Sequence, residues 1–199
     1  MPIPLILVGL AALGLILAAS SESPAPATAT GEDTPPAPEN DPQGDDPAPD
    51  DPTPPPAPDP ARTAFLSRFA DSEFNALVSE TESVNDLPPF VLAALLYKES
   101  RFNPKAHNNA SGAQGIAQIL PTTAAQPGHG VEPITDAYDP NEAIPFAGAY
   151  LAALTRESGS IETGLAAYNW GLRNVQSGKD YPAETRDYVD TITTLAGIA

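Results

Sequence analysis

The side chain best placed to exchange a proton is Glu99. It follows Leu95 by four positions and Val91 by eight, so it lies on the apolar face of a helix predicted from about Pro89 to Ser100. It falls in the last turn, where the unpaired carbonyls disfavour further negative charge. Partial burial and this dipole both push a carboxyl toward its protonated form at neutral pH. That is the condition a general acid for glycoside cleavage requires. Helix position alone leaves a plainer alternative open, a surface or ion-paired glutamate with Lys98 or Arg101 beside it.

The surroundings narrow the choice. Residues 98–121 read KESRFNPKAHNNASGAQGIAQILP. Glu99-Ser100 ends the helix, Phe102-Asn103-Pro104 follows, and a glycine-punctuated stretch runs from Gly112 through Gly115 and Gln118 to Pro121. Three further blocks stand in order: Asp139-Pro140 with Gly148-Ala149-Tyr150-Leu151; Ala166-Ala167-Tyr168-Asn169-Trp170-Gly171; and Glu184-Thr185 with Tyr188-Val189. Over residues 72–190 this pattern resembles the lytic transglycosylase domain of the soluble lytic transglycosylase type, in the goose-lysozyme-like superfamily. The resemblance implies a mainly α, lysozyme-like domain with Glu99 as its one catalytic residue. Two departures stand out. The loop between Ala106 and Gly112 is one residue longer than the family pattern, with Asn109 where a serine near the glutamate is usual; Asn108, Asn109 or Ser111 could fill that polar role. Trp170 replaces a usually small residue and is either a sugar-stacking wall or a core side chain.

The resemblance also implies the chemistry. The substrate would be the peptidoglycan glycan strand, cut between N-acetylmuramic acid and N-acetylglucosamine. Glu99 would protonate the glycosidic oxygen, the 2-acetamido oxygen would stabilise the intermediate, and ionised Glu99 would then take the proton of the muramic C6 hydroxyl as it closes on C1. No second carboxylate near the motif is an obvious nucleophile, so the paired-carboxylate scheme is not met. The expected substrate-binding set is Ser100, Asn109, Ser111, Gln118, Tyr168 and Asn169. Gln118 offers a donor and an acceptor suited to an acetamido group, or is a solvated helix residue. Tyr168 could donate to Glu99 or to substrate and Asn169 could fix the backbone around it, unless both are structural support. Gly112 and Gly115 are expected to leave room for a sugar chain. Glu184 and Tyr188 are expected to hold the last helix. His107 and His129 lack the partner spacing of a metal site and read as loop residues, so neither metal nor cofactor is expected. Two rivals remain: a muramidase using water, with Asp136 or Asp139 as second carboxylate, and a non-catalytic wall-binding module.

The elements that must position these groups occupy only part of the chain. Residues 1–19 carry no charge and are apolar from Ile3 to Ala19, at the short limit for a bilayer span. They read as an apolar helix, either an uncleaved membrane anchor or a signal peptide. The anchor is the better fit because no Lys or Arg precedes Arg62. Residues 20–61 form an acidic, proline-rich linker: residues 20–60 hold 14 prolines and 10 acidic side chains with no basic one. Such a stretch cannot bury enough apolar surface to order itself and would reach on the order of 120 Å. Residues 62–199 are the domain, carrying all 9 basic residues against 16 acidic ones. Apolar stripes at Phe65, Leu66 and Phe69 and at Phe74, Leu77 and Val78 mark two short helices. Further helices are expected near 114–126, 141–157, 161–170 and 183–196, with a loop over 103–113 and no convincing strand. The acidic balance argues against nucleic acid, and without cysteine no disulfide or thiolate site exists. A monomer is expected, held at the cell envelope by residues 3–19 or exported to the periplasm, with a bacteriophage virion containing an internal membrane as the alternative.

Overall fold

Asp59 and Pro60 begin the first helix of the computed structural model, which describes residues 59–199. The expected anchor over residues 1–19, and the linker up to residue 58, lie outside the described residues. Among those that are described, no helix is long and apolar enough to cross a membrane.

Helix α1 (Pro60–Ala70) starts where the Asp59 carboxylate accepts from the Ala61 amide at 2.7 Å, with proline in the first turn. It opens two residues inside the stretch read as linker. Ser72 accepts from the Phe74 amide at 3.2 Å just before α2 (Asn75–Val84). Helix α3 (Val91–Ser100) is central: every residue from Val91 to Leu96 is buried. Helix α4 (Pro121–Ala125) is a single short turn of helix, α5 (Pro140–Ser158) is the longest, and α6 (Ile161–Trp170) opens on a capping box between Ser160 and Thr163. A five-residue helix, α7 (Leu172–Gln176), leads to α8 (Ala183–Ala196). Helix α5 packs along α6, and α3 along α8, with α2 bridging α3 and α5. Leu92, Leu95, Leu96, Ile144, Leu151, Leu165 and Ile192 meet in the core without exposure.

Two features of this packing were not anticipated. Glu82 in α2 is only 5% exposed, yet its carboxylate accepts from the Phe90 amide at 3.0 Å and the Ala93 amide at 3.1 Å. It therefore satisfies amides at the start of α3 that the helix itself leaves unpaired. Burial pushes its pKa up while those amides pull it down. The second feature corrects the helix expected over 114–126. Residues 114–120 form a tight turn instead, with isolated antiparallel bridges joining Gln114 to His107 and to Ile119. Left-handed φ at Gly115 and Gln118 breaks the helix. Gly115 adopts φ +73°, and a Cβ there would lie 1.7 Å from the Ala137 carbonyl oxygen. Close approach at Gly115 is thus to the protein's own backbone, not to a sugar. Gly112 has open space around its absent Cβ and serves a left-handed turn at φ +77°.

Candidate active site

The last turn of α3 carries Glu99 out of the core at the point where α8 crosses it. Adjacent residues on α3 pair with adjacent residues on α8. The Lys98 ammonium meets the Asp187 carboxylate at 2.9 Å and the Thr191 hydroxyl at 3.2 Å. Tyr188, which is buried, donates its hydroxyl proton to Glu99 Oε1 at 2.6 Å. Glu99 is partly exposed, so it can meet a ligand. Removal from water raises its pKa from 4.5 to about 7, against the opposing pull of the Tyr188 hydroxyl and the Lys98 charge. A carboxyl with that pKa holds its proton on about half the molecules near neutrality and can both donate and accept. Among the described residues, no other carboxylate contributes to this shift.

The backbone after Glu99 is strained. Arg101 and Phe102 both have left-handed φ, 55° and 64°, which costs non-glycine residues of order 1 kcal/mol each. The reversal turns Phe102 back onto Phe69 and Tyr97, leaving it 8% exposed. Ser100 fastens the turn: its hydroxyl donates to the Ile116 carbonyl at 2.7 Å and accepts from the Asn103 amide at 3.1 Å. Ser100 therefore ties α3 to the 114–120 turn through its donated bond, while the accepted one closes the reversal after the helix.

That turn and the end of α6 face each other. Tyr168 donates to the Ala117 carbonyl at 3.0 Å rather than to Glu99. It lies close enough that the Glu99 charge, after burial, pushes its phenol pKa up. Of the two partners open to Tyr168, Glu99 and substrate, Glu99 is met by Tyr188 instead, whose phenol is likewise pushed up by burial first and by Glu99 next. Asn169 is anchored by the buried Thr185, whose hydroxyl donates to Asn169 Oδ1 at 2.8 Å. In the Glu184-Thr185 pair, then, it is Thr185 that joins α8 to α6. Gln118, at φ +48°, donates Nε2 to the Gly115 carbonyl at 2.9 Å. Gln118, Tyr168 and Asn169 line one cavity of about 270 Å³ together with Leu120 and Trp170.

The remaining residues of the expected set lie in the 103–113 loop and do not hydrogen-bond Glu99. Asn109 is exposed, and the Ser111 hydroxyl accepts from the Ala113 amide at 3.2 Å. Asn108 shapes the loop by accepting from the Ala110 and Ser111 amides. The histidines link distant segments: His107 Nδ1 lies 2.9 Å from the Tyr138 hydroxyl, and His129 Nδ1 lies 2.8 Å from Glu157 Oε1 on α5. Asp136 accepts from the Tyr138 amide at 2.8 Å and Asp139 caps α5 through the Asn141 amide at 2.9 Å. A larger depression of about 790 Å³, lined by Arg68, Asp71 and Arg101, lies beside Tyr97. Tyr97 stands two positions from Glu99, about 200° around the helix, so that depression opens away from the acid.

Tyr188 escaped the sequence reading as a partner of Glu99. Its signal was the stripe Tyr188, Ile192, Leu195 and Ala196 on α8, all buried. That spacing gave the buried face but not which neighbour the hydroxyl would meet.

Comparison with known proteins gives a consistent result. Residues 76–190 match the family model described as the Transglycosylase SLT domain. A transglycosylase of Enterobacteria phage PRD1 is 33% identical over 129 residues, covering 57% of this chain and 45% of the relative. A membrane-bound lytic murein transglycosylase F of Desulfosudis oleivorans is 29% identical over 113 residues, covering 53% of this chain and 24% of the relative. This chain therefore spans less than half the length of either. An inactive mutant of the lytic transglycosylase Slt from Pseudomonas aeruginosa has a similar fold, with a TM-score of 0.54 at 20% identity over 68% of this chain and 26% of that one.

Proposed function

Because this chain belongs to the Transglycosylase SLT domain family, we propose that it is a peptidoglycan lytic transglycosylase with Glu99 as its single acid/base. One observation carries the reading: a partly exposed carboxyl, raised to about 7, stands at a helix end with a tyrosine hydroxyl on one oxygen. Protonated Glu99 gives its proton to the oxygen bridging N-acetylmuramic acid and N-acetylglucosamine. As that bond breaks, the 2-acetamido oxygen of the muramic residue bonds to C1. The Glu99 carboxylate, steadied by Tyr188, then accepts the C6 hydroxyl proton while O6 displaces the acetamido oxygen from C1. The product ends in 1,6-anhydro-N-acetylmuramic acid, no water is consumed, and Glu99 regains its proton.

Gln118, Tyr168 and Asn169 form the substrate-binding face. Ser100 acts on the site through the turn it anchors, and Asn109 and Ser111 are the loop residues that would meet the strand beyond it. A water-using muramidase, with Asp136 or Asp139 as the second carboxylate, is the alternative that the masses of the products separate. The reading takes the chain to act as a monomer. The place of action is the bacterial cell wall, reached from the envelope or from a virion; the phage and membrane-bound relatives support both routes.

Turbidity of a wall suspension and the masses of the released fragments test this reading. The wild-type chain is expected to clear the suspension and to release fragments one water lighter than hydrolysis gives. Glu99→Gln is expected to lose clearing at least a thousandfold while still binding walls. Undiminished clearing by Glu99→Gln, or hydrated fragments from the wild type, refutes the assignment.

A further inference from the structure

Trp170 is the chain's one tryptophan, and its position decides between a core role and a ligand-facing one. It closes α6 and is half-buried. It is absent from the side chains packed on the hydrophobic core, which on α6 include Leu165, Ile161 and Tyr168. The indole instead lines the 270 Å³ cavity shared with Gln118, Leu120, Tyr168 and Asn169. Tyr181 braces it edge-on, with ring centroids 6.0 Å apart and planes at 67°. The Trp170 carbonyl accepts from Asn174 Nδ2 at 2.6 Å. An aromatic held rigidly at a cavity wall loses little conformational freedom when a ligand covers it.

The cavity's polar groups narrow the ligand class. Gln118 uses its amide NH₂ on the Gly115 carbonyl, so its amide oxygen is left as an acceptor. Asn169 uses its oxygen on Thr185, so its NH₂ is left as a donor. A 2-acetamido sugar presents the complement of this set: an N–H, a carbonyl and an apolar C–H face for the indole. The volume lies below the roughly 300–1,000 Å³ of pockets that enclose drug-sized ligands, and so suits one sugar ring rather than a longer piece of strand.

We propose that Trp170 is a specificity-determining wall of a subsite that holds one N-acetylated amino sugar of the glycan strand. This rests on the glycan-cleaving reading for the identity of the strand, but its test is separable. In the full chain carrying Glu99→Gln, Trp170 is the sole indole reporter, and no turnover disturbs the titration. Adding a β-1,4-linked hexamer of N-acetylglucosamine is expected to shift its emission to shorter wavelength, saturably. A glucose hexamer of the same linkage, lacking acetamido groups, is expected to do so at least tenfold more weakly. In the active chain, Trp170→Ala is expected to raise KM for solubilised glycan strands about tenfold with kcat within about threefold of wild type, and Trp170→Phe to recover most of the loss.

Emission that ignores both oligosaccharides, an equal response to both, or a wild-type KM in Trp170→Ala overturns the proposal. If the wild type cleaves strands yet the emission does not respond, the subsite fails and the cleavage reading stands. If the emission saturates but no anhydro-ended product forms, the subsite stands and the cleavage reading fails.

Discussion

Holding Glu99 away from water carries a stability cost that can be measured without any substrate. Its pKa in the fold is about 7, against 4.5 when unperturbed, with burial as the main cause. A carboxyl raised in this way favours the folded state only while protonated. That contribution is complete below about pH 4.5 and is lost as pH climbs through about 7. At about 1.4 kcal/mol per pH unit, the interval corresponds to about 3 kcal/mol at full strength. Glu99→Gln removes the titration but keeps an oxygen to accept from Tyr188. The variant should therefore gain about 3 kcal/mol relative to wild type between pH 4 and pH 8, with every other titrating group cancelling in the comparison. Urea unfolding followed by far-ultraviolet circular dichroism reads this as a relative midpoint shift of about 1–2 M. If the wild-type and variant midpoints differ by the same amount at pH 4 and at pH 8, the carboxyl is not perturbed and the argument from burial fails.

Two further outcomes follow from contacts around the site. Tyr188→Phe removes a hydrogen bond that favours the ionised form of Glu99, so the alkaline limb of the kcat profile should move up by about one pH unit from near 7; a limb that stays or falls contradicts the assigned role. Gly115→Ala drives a methyl into the Ala137 carbonyl at a left-handed backbone position, and should cost about 2–4 kcal/mol in urea unfolding, whereas a loss under about 1 kcal/mol would mean that the turn relaxes freely.

The legibility of this chain followed the range of the forces involved. The Val91, Leu95, Glu99 spacing placed the acid on the inward face of α3, because helical periodicity is a local property. The same arithmetic puts Glu82 one turn beyond Val78 on the buried face of α2. Its role has no local signal, because its partners, the amides at the head of α3, meet it only once the two helices pack. The helix expected over 114–120 is broken by left-handed φ at Gly115 and Gln118, and the Gly115 amide donates instead to the Ala106 carbonyl, a contact outside the turn. The five-residue α7 is too short to show a period at all. The ordered blocks located Tyr168, Asn169 and Tyr188 but not how their functions divide. Which phenol reaches Glu99 depends on how α8 lies across α3, a tertiary fact with no local signature.

The proton donor and the group that steadies it stand 89 positions apart along the chain, and this couples chemistry to the completion of folding. While α8 is undocked, Glu99 stays hydrated, titrates as an ordinary carboxyl, and is ionised at neutral pH. On the proposed reaction, a newly made or partly opened chain would lack the protonated carboxyl that cleavage needs. A protease that clips or loosens α8 would then remove the Tyr188 contact and return Glu99 to water without touching the carboxyl itself.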